Sequence, residues 1–249
     1  TVTGVFDTAP EADTPMEERE EIEDRWPHLH EYEPNQNGLP RLMIMGHGRH
    51  GKETVCEMLE EMYGLRWRSS SKACGEIVVA KILNDIDTRK AFLEYLPGDM
   101  RVRMAEAIAT YNEGWNAFVG QDDEGVDFEQ WVFEVRSNYR ELWFQAIRWY
   151  NWDAPTKLCR TIMEEADAYC GIRDARELTA IMNSVLLDDV IWVDASQRMP
   201  AEDASSISVQ PWHATLHLDN NHGLEELGTA IQQLMWGQYG LLPYAHLEE

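Results

Sequence analysis

The stretch Gly46-His47-Gly48-Arg49-His50-Gly51-Lys52 matches the pattern GxxxxGK. It stands between an apolar run, Leu42–Met45, and a segment from Lys52 to Tyr63 in which Val55, Met58, Leu59 and Met62 recur at helical spacing. Strand, glycine-rich turn and amphipathic helix in this order constrain the fold more than any other feature. In such a turn successive backbone N–H groups line a concavity, and glycine permits the backbone angles this requires. The helix that follows adds the positive end of its dipole. The pattern predicts a cradle for the phosphates of ATP formed by Gly46, His47, Gly48, Arg49, His50, Gly51, Lys52, Glu53 and Thr54, with Lys52 reaching the β- and γ-phosphates.

One position departs from the pattern. The hydroxyl residue that usually follows the lysine and helps hold Mg²⁺ is Glu53 here, and Thr54 comes next. Glu53 either serves the ion through its carboxylate or through water, or caps the first helical turn, where an acid is favoured. Thr54 is the alternative Mg²⁺ ligand.

The rest of the chain alternates short apolar runs with helical patterns. Strands are expected at 42–45, 65–68, 168–172, 190–193 and 215–218. Helices are expected at 52–63, 72–84, 87–96, 99–112, 128–150, 155–165, 174–183 and 223–236, and Gly64 ends the first of them. This alternation predicts an α/β fold: a mostly parallel five-stranded sheet with helices on both faces. Most of the helical mass falls between the second and third strands, a large insertion at about 72–166. The folded domain is expected over 41–249.

Residues 1–40 differ in character. Five prolines punctuate them, and residues 1–33 carry eleven acids against two arginines. They are expected to be a flexible acidic arm. The formal charge of the whole chain is −24, which repels a long polyanion unless a local basic groove intervenes. No apolar run has the roughly 18–20 residues that span a bilayer, and the N-terminal residues are acidic where a signal peptide is basic. A soluble, cytoplasmic protein without a membrane partner is expected. Cys56, Cys74, Cys159 and Cys170 form no CxxC pair, so buried free thiols are expected. His213 and His217 flank a strand rather than sharing a helical turn, which argues against a metal site.

Phosphoryl transfer demands positioning and positive charge against the transferring oxygens. Arg173 lies at the carboxyl end of the third strand, where open α/β sheets hold ligands; it either neutralises that charge or pairs with Asp174 or Glu177. Arg198, in the loop from Asp194 to Ser206, is a second candidate or a solvated loop residue. Asp194 ends the fourth strand and either holds Mg²⁺, orients water or caps the turn after it. Ser69, Ser70 and Ser71 end the second strand and either bind an acceptor or cap the helix from Lys72. Arg140 belongs to a run of Arg and Trp from Arg136 to Trp152 that either stacks a base or forms a core face with snorkelling arginines.

These blocks carry a resemblance. Gly48-Arg49-His50-Gly51-Lys52-Glu53-Thr54-Val55 resembles the GxRxxGKDT loop of phage deoxynucleoside monophosphate kinases, with Glu53 where that family has Asp. Ser69-Ser70-Ser71, Tyr139-Arg140-Glu141-Leu142-Trp143, Tyr150-Asn151, Ala168–Arg173, Val190–Ser196 and Leu218-Asp219-Asn220-Asn221 extend the likeness over residues 41 to about 237. The ensemble is most similar to a phage P-loop kinase branch tied to DNA hypermodification, whose enzymes phosphorylate the hydroxymethyl group of 5-hydroxymethyluracil in DNA. The resemblance implies an ATP- and Mg²⁺-dependent kinase; with the residue reading above, Lys52, Arg173 and Arg198 are its expected catalytic residues. Two other expectations stand beside it: a kinase of free deoxynucleoside monophosphates, whose phosphate acceptor needs no general base, and an ATP-hydrolysing switch that drives a protein partner.

Overall fold

The computed structural model of the chain describes residues 38–119, 127–184, 187–202 and 207–244. Residues 1–37 of the expected arm, the expected acidic loop at 120–125 and residues 203–206 lie outside them. In chain order the elements are β1 (Leu42–Met45), α1 (Lys52–Tyr63), β2 (Trp67–Ser69), α2 (Ser70–Cys74), a π turn (Gly75–Val79), α3 (Ala80–Asn84), α4 (Ile86–Tyr95) and α5 (Gly98–Val119). There follow α6 (Phe128–Glu134), a 3-10 turn (Val135–Tyr139), α7 (Arg140–Tyr150), α8 (Lys157–Met163), β3 (Ala168–Cys170), α9 (Ala175–Asn183), β4 (Asp189–Asp194), a second 3-10 turn (Pro211–His213), β5 (Leu216–Asp219) and α10 (Leu224–Tyr239). The described chain forms two compact units: residues up to Trp67 with those from Glu165 onward, and Arg68–Glu164.

The five strands form one all-parallel sheet in the order β2-β3-β1-β4-β5. β1 is central, pairing Ile44 with Cys170 of β3 and with Ile191 of β4. All four β1 residues are fully buried, which explains why they read as an unbroken apolar run rather than an alternation. Side chains alternate between faces. On one face Leu42, Ile44, Ala168, Cys170, Ile191 and Val193 pack with Val55 and Leu59 of α1 and Leu227 and Ile231 of α10. On the other, Met43, Met45, Tyr169 and Trp192 are buried, and Tyr169 hydrogen-bonds Glu177 of α9. Each such buried aliphatic side chain contributes on the order of 1.5–3 kcal/mol.

Two features anchor the first unit. Gly64 ends α1 in the left-handed region (φ 68°), its N–H returning to the carbonyls of Glu60 and Leu59. The Arg66 guanidinium binds both oxygens of the fully buried Asp167 at 3.2 Å, and the Arg66 amide donates to the same carboxylate at 2.9 Å.

The second unit is helical. Gly75 lies where an added Cβ would stand 2.7 Å from the Trp143 ring, so glycine admits the indole. Tyr111 is fully buried, stacks on Tyr139 with ring centroids 3.9 Å apart, donates to the Val132 carbonyl at 2.5 Å and accepts from Trp143 Nε1 at 3.3 Å. The single helix expected at 128–150 is instead two helices separated by the 3-10 turn. Ser137 and Asn138, which compete with the helical backbone for hydrogen bonds, sit at the break, and Tyr139 leaves helical geometry (φ −128°, ψ 33°) to meet Tyr111. No helix among the described residues is long and apolar enough to cross a membrane. The four cysteines are buried and none forms a disulfide.

Candidate functional site

In the sheet order β1 leads to β2 on one side and β4 leads to β5 on the other, the kind of reversal at whose carboxyl ends open α/β sheets hold ligands. Residues 46–51 follow β1 at that end. Gly46 has φ 150°, and a Cβ there would stand 2.5 Å from the Val193 carbonyl oxygen of β4, so only glycine lets the loop pass so close. Arg49, exposed, is the one non-glycine described residue with positive φ (65°), and Gly51 follows at 86°. Gly51 occupies the N-cap position of α1 without a side-chain cap. The first amides of α1 therefore lack both helical partners and a capping side chain.

The loop is held from β4 and β5. The Ala195 amide donates to His50 Nδ1 at 3.1 Å, which assigns the ring proton to Nε2. The Asn220 side-chain amide donates to the His50 carbonyl at 2.8 Å, and the Asn220 backbone amide donates to the Asp194 carbonyl at 2.7 Å. A Cβ on Gly51 would overlap that Asn220 amide. His47 meets His50 and Trp192 edge to face, with centroids 5.2 and 5.3 Å away. Burial lowers the His47 pKa, and His50 and Lys52 act in the same direction.

Cations and anions meet at this loop. Lys52 Nζ donates to the His47 carbonyl at 2.7 Å. Burial, the largest cause, depresses its pKa; Cys170 and Glu202 oppose this and Arg173 adds to it. Arg173 pairs with Glu202 at 2.9 Å rather than with Asp174 or Glu177; the Asp174 carboxylate instead caps α9. The second oxygen of Glu202 accepts the Gly48 amide at 2.6 Å, and the Glu202 amide donates to His47 Nδ1 at 3.3 Å. Burial works against the Glu202 charge, but Arg173 and the Gly48 amide outweigh it and hold the carboxyl below its usual range.

Asp194 takes the capping role. It accepts from the Ser196 amide at 2.9 Å, the Ser196 hydroxyl at 3.1 Å and Asn221 Nδ2 at 3.5 Å. Burial alone would raise its pKa; these bonds, with His50 nearby, bring it below the ordinary value. Arg198 Nε donates to the Asn220 carbonyl at 2.8 Å, so Arg198 and Asp194 are joined to the loop through Asn220. Glu53 is exposed on the first turn of α1 and Thr54 is half-buried behind it.

The other candidates belong to the second unit. Ser69 and Ser70 are buried at the start of α2, which begins at Ser70 rather than Lys72. Ser69 occupies the N-cap position, but its hydroxyl makes no capping bond. Arg140 is the exposed first residue of α7. In the Arg and Trp run Leu142, Trp143 and Ala146 are buried, Trp152 is exposed, and Arg136 and Arg148 lie over the rings of Phe133 and Phe144.

The motif reading missed Glu202 and Asn220 as parts of the site. Asn220 had a usable signal, since it follows a strand at the carboxyl edge of the sheet. Glu202 had none, being 154 residues from its Gly48 partner. No protein-family model matches the chain, and no curated protein matches it in sequence.

Proposed function

We propose that the chain is a phosphotransferase that binds ATP at residues 46–54 and transfers the γ-phosphate to the hydroxymethyl oxygen of 5-hydroxymethyluracil in phage DNA. One observation carries the nucleotide part of this proposal. An uncapped helix start, a loop with two left-handed residues and two cations, Lys52 and Arg173, converge around the Gly48 amide, which is already engaged by a carboxylate. Such a cradle is built for anionic oxygen. The acceptor comes from the resemblance of the motif blocks, with Ser69, Ser70 and Arg140 as its candidate contacts.

In this reaction the acceptor oxygen forms a bond to the γ-phosphorus, the bond to the β–γ bridging oxygen breaks, ADP leaves, and the hydroxyl proton passes to solvent. The loop amides and Lys52 hold the β- and γ-oxygens. Arg173 and Arg198 would offset the charge that develops on the transferring group, and Arg49, exposed on the loop, would help to hold the triphosphate.

The donors near the loop suit Mg²⁺ chemically. Glu53, Thr54 and Asp194 offer hard oxygens, and the bonds from Ser196 and Asn221 keep Asp194 ionised. Among the described residues no group of three or more His, Cys, Asp or Glu side chains stands together. When bound, Mg²⁺ supplies Lewis-acid neutralisation of phosphate charge.

The formal charge of −24 favours a second reading, transfer to free deoxynucleoside monophosphates, because a small acceptor escapes the repulsion that a polyanion meets. The deciding assay is transfer of labelled γ-phosphate from ATP to hydroxymethyluracil-containing DNA alongside the common monophosphates. Label in DNA alone supports the first reading. Label in monophosphates alone supports the second, and ATP turnover that needs a protein partner and neither acceptor overturns both.

A further inference from the structure

Glu202 stands where an anionic ligand of the loop would stand. One carboxylate oxygen takes the Gly48 amide at 2.6 Å and the other takes Arg173 at 2.9 Å. A Cβ on Gly48 would be only 2.9 Å from Glu202 Oε1, so the side chain lies directly against the loop backbone. Its own amide is tied to His47 Nδ1 at 3.3 Å, so the contact is fixed from both ends of the residue. Meanwhile Lys52 is turned onto the His47 carbonyl at 2.7 Å.

The exclusion follows from donor counting. A backbone amide has one hydrogen, and a guanidinium has five. Arg173 can serve Glu202 and a phosphate together. The Gly48 amide cannot: while it donates to Glu202 it is closed to a phosphate oxygen, and the carboxylate occupies the space that oxygen needs. Two anions in contact would also repel strongly in this partly buried setting.

We propose that Glu202 is a built-in competitor for the loop, a carboxylate that occupies the Gly48 amide at rest and is displaced by the polyphosphate of the ligand. This rests on the reading of residues 46–54 as a polyphosphate site. Binding is then an exchange of one anion for another. A ligand carrying several negative charges, such as a di- or triphosphate, wins the exchange, whereas a small anion such as inorganic phosphate does not. The competitor thus selects for polyphosphate chains.

The test is calorimetric titration of inorganic tripolyphosphate and inorganic phosphate into the full chain, as wild type, Glu202→Gln, Glu202→Ala and Lys52→Ala. Both Glu202 variants are expected to bind tripolyphosphate about tenfold more tightly than wild type, equivalent to ~1.4 kcal/mol. They are also expected to gain binding of inorganic phosphate. Unchanged or weaker binding in the Glu202 variants, while wild-type binding still depends on Lys52, overturns the competitor and leaves the polyphosphate site standing. No binding by wild type, or equal binding by Lys52→Ala, overturns the site and the competitor together. A second measurement uses the unaltered protein. The side-chain carboxyl ¹³C resonance of Glu202 is expected to shift and saturate with tripolyphosphate, and a resonance that stays fixed while ligand binds contradicts displacement.

Discussion

The side-chain amide of Asn220 donates to the carbonyl of His50 at 2.8 Å, and it lies so close to Gly51 that a Cβ there would overlap it. The residue after β5 therefore sets the shape of the loop after β1. Asn220 is 5% exposed, so losing its amide leaves the His50 carbonyl without that partner. Asn220→Ala is expected to cost about 1–3 kcal/mol, the penalty of an unmade buried hydrogen bond. Gly51→Ala incurs both the overlap and the strain of φ 86°, about 1–2 kcal/mol for the strain alone. Because Asn220→Ala also removes the overlapping group, the double variant should cost less than the sum, with a coupling of about 0.5–3 kcal/mol in urea unfolding. Additive effects would mean that the two residues do not share the space.

Much of this arrangement was legible in the sequence. Leu42–Met45 read as a strand because all four residues are buried. Lys52–Tyr63 read as a helix because its buried residues keep helical spacing, and Gly64 marked its end with a left-handed cap. The sheet, expected as mostly parallel, is wholly so. What escaped depends on contacts distant in sequence. Glu202 looks like any loop acid until the fold brings it to Gly48, and the break at 135–139 follows from Tyr139 stacking on Tyr111. The serines where β2 meets α2 have the composition of a cap, but the hydroxyl of Ser69 makes no such bond.

Alkaline pH should loosen the fold through two tyrosines. Burial, with Asp189 as its hydrogen-bond acceptor at 2.5 Å, pushes the Tyr239 hydroxyl well above the ordinary value, and burial pushes Tyr111 up to about 12. Their pKa values are raised in the folded state, so the stability they confer is whole below the unfolded value of about 10 and is lost as pH rises beyond it. Urea midpoints should fall from about pH 10 upward, and Tyr239→Phe with Tyr111→Phe should flatten that fall while costing about 1 kcal/mol each at neutral pH. An unaltered slope in the double variant would contradict this assignment.

Glu177 acts in a lower window. Burial first and Asp174 second push its carboxyl up to about 8; Tyr169 hydrogen-bonds it and its Oε1 is buried without a partner among the described residues. The raised value means that its stabilising contribution is present below the unfolded value of about 4.3 and is lost as pH rises toward 8. Glu177→Gln, neutral throughout, should be more stable than wild type at neutral pH and lose the decline between these values. Equal pH profiles for the two proteins would show that the carboxyl is not held neutral.

Binding of ATP with Mg²⁺, measured calorimetrically on wild type and Lys52→Ala with the fold of each checked by circular dichroism, tests the central claim most directly. Removing a cation that contacts a buried phosphate should weaken binding at least about 30-fold, on the order of 2 kcal/mol. Saturable one-to-one binding by wild type, lost in a folded Lys52→Ala protein, is the predicted result. Equal affinity in the two proteins, or no binding by wild type, would contradict a triphosphate site at residues 46–54.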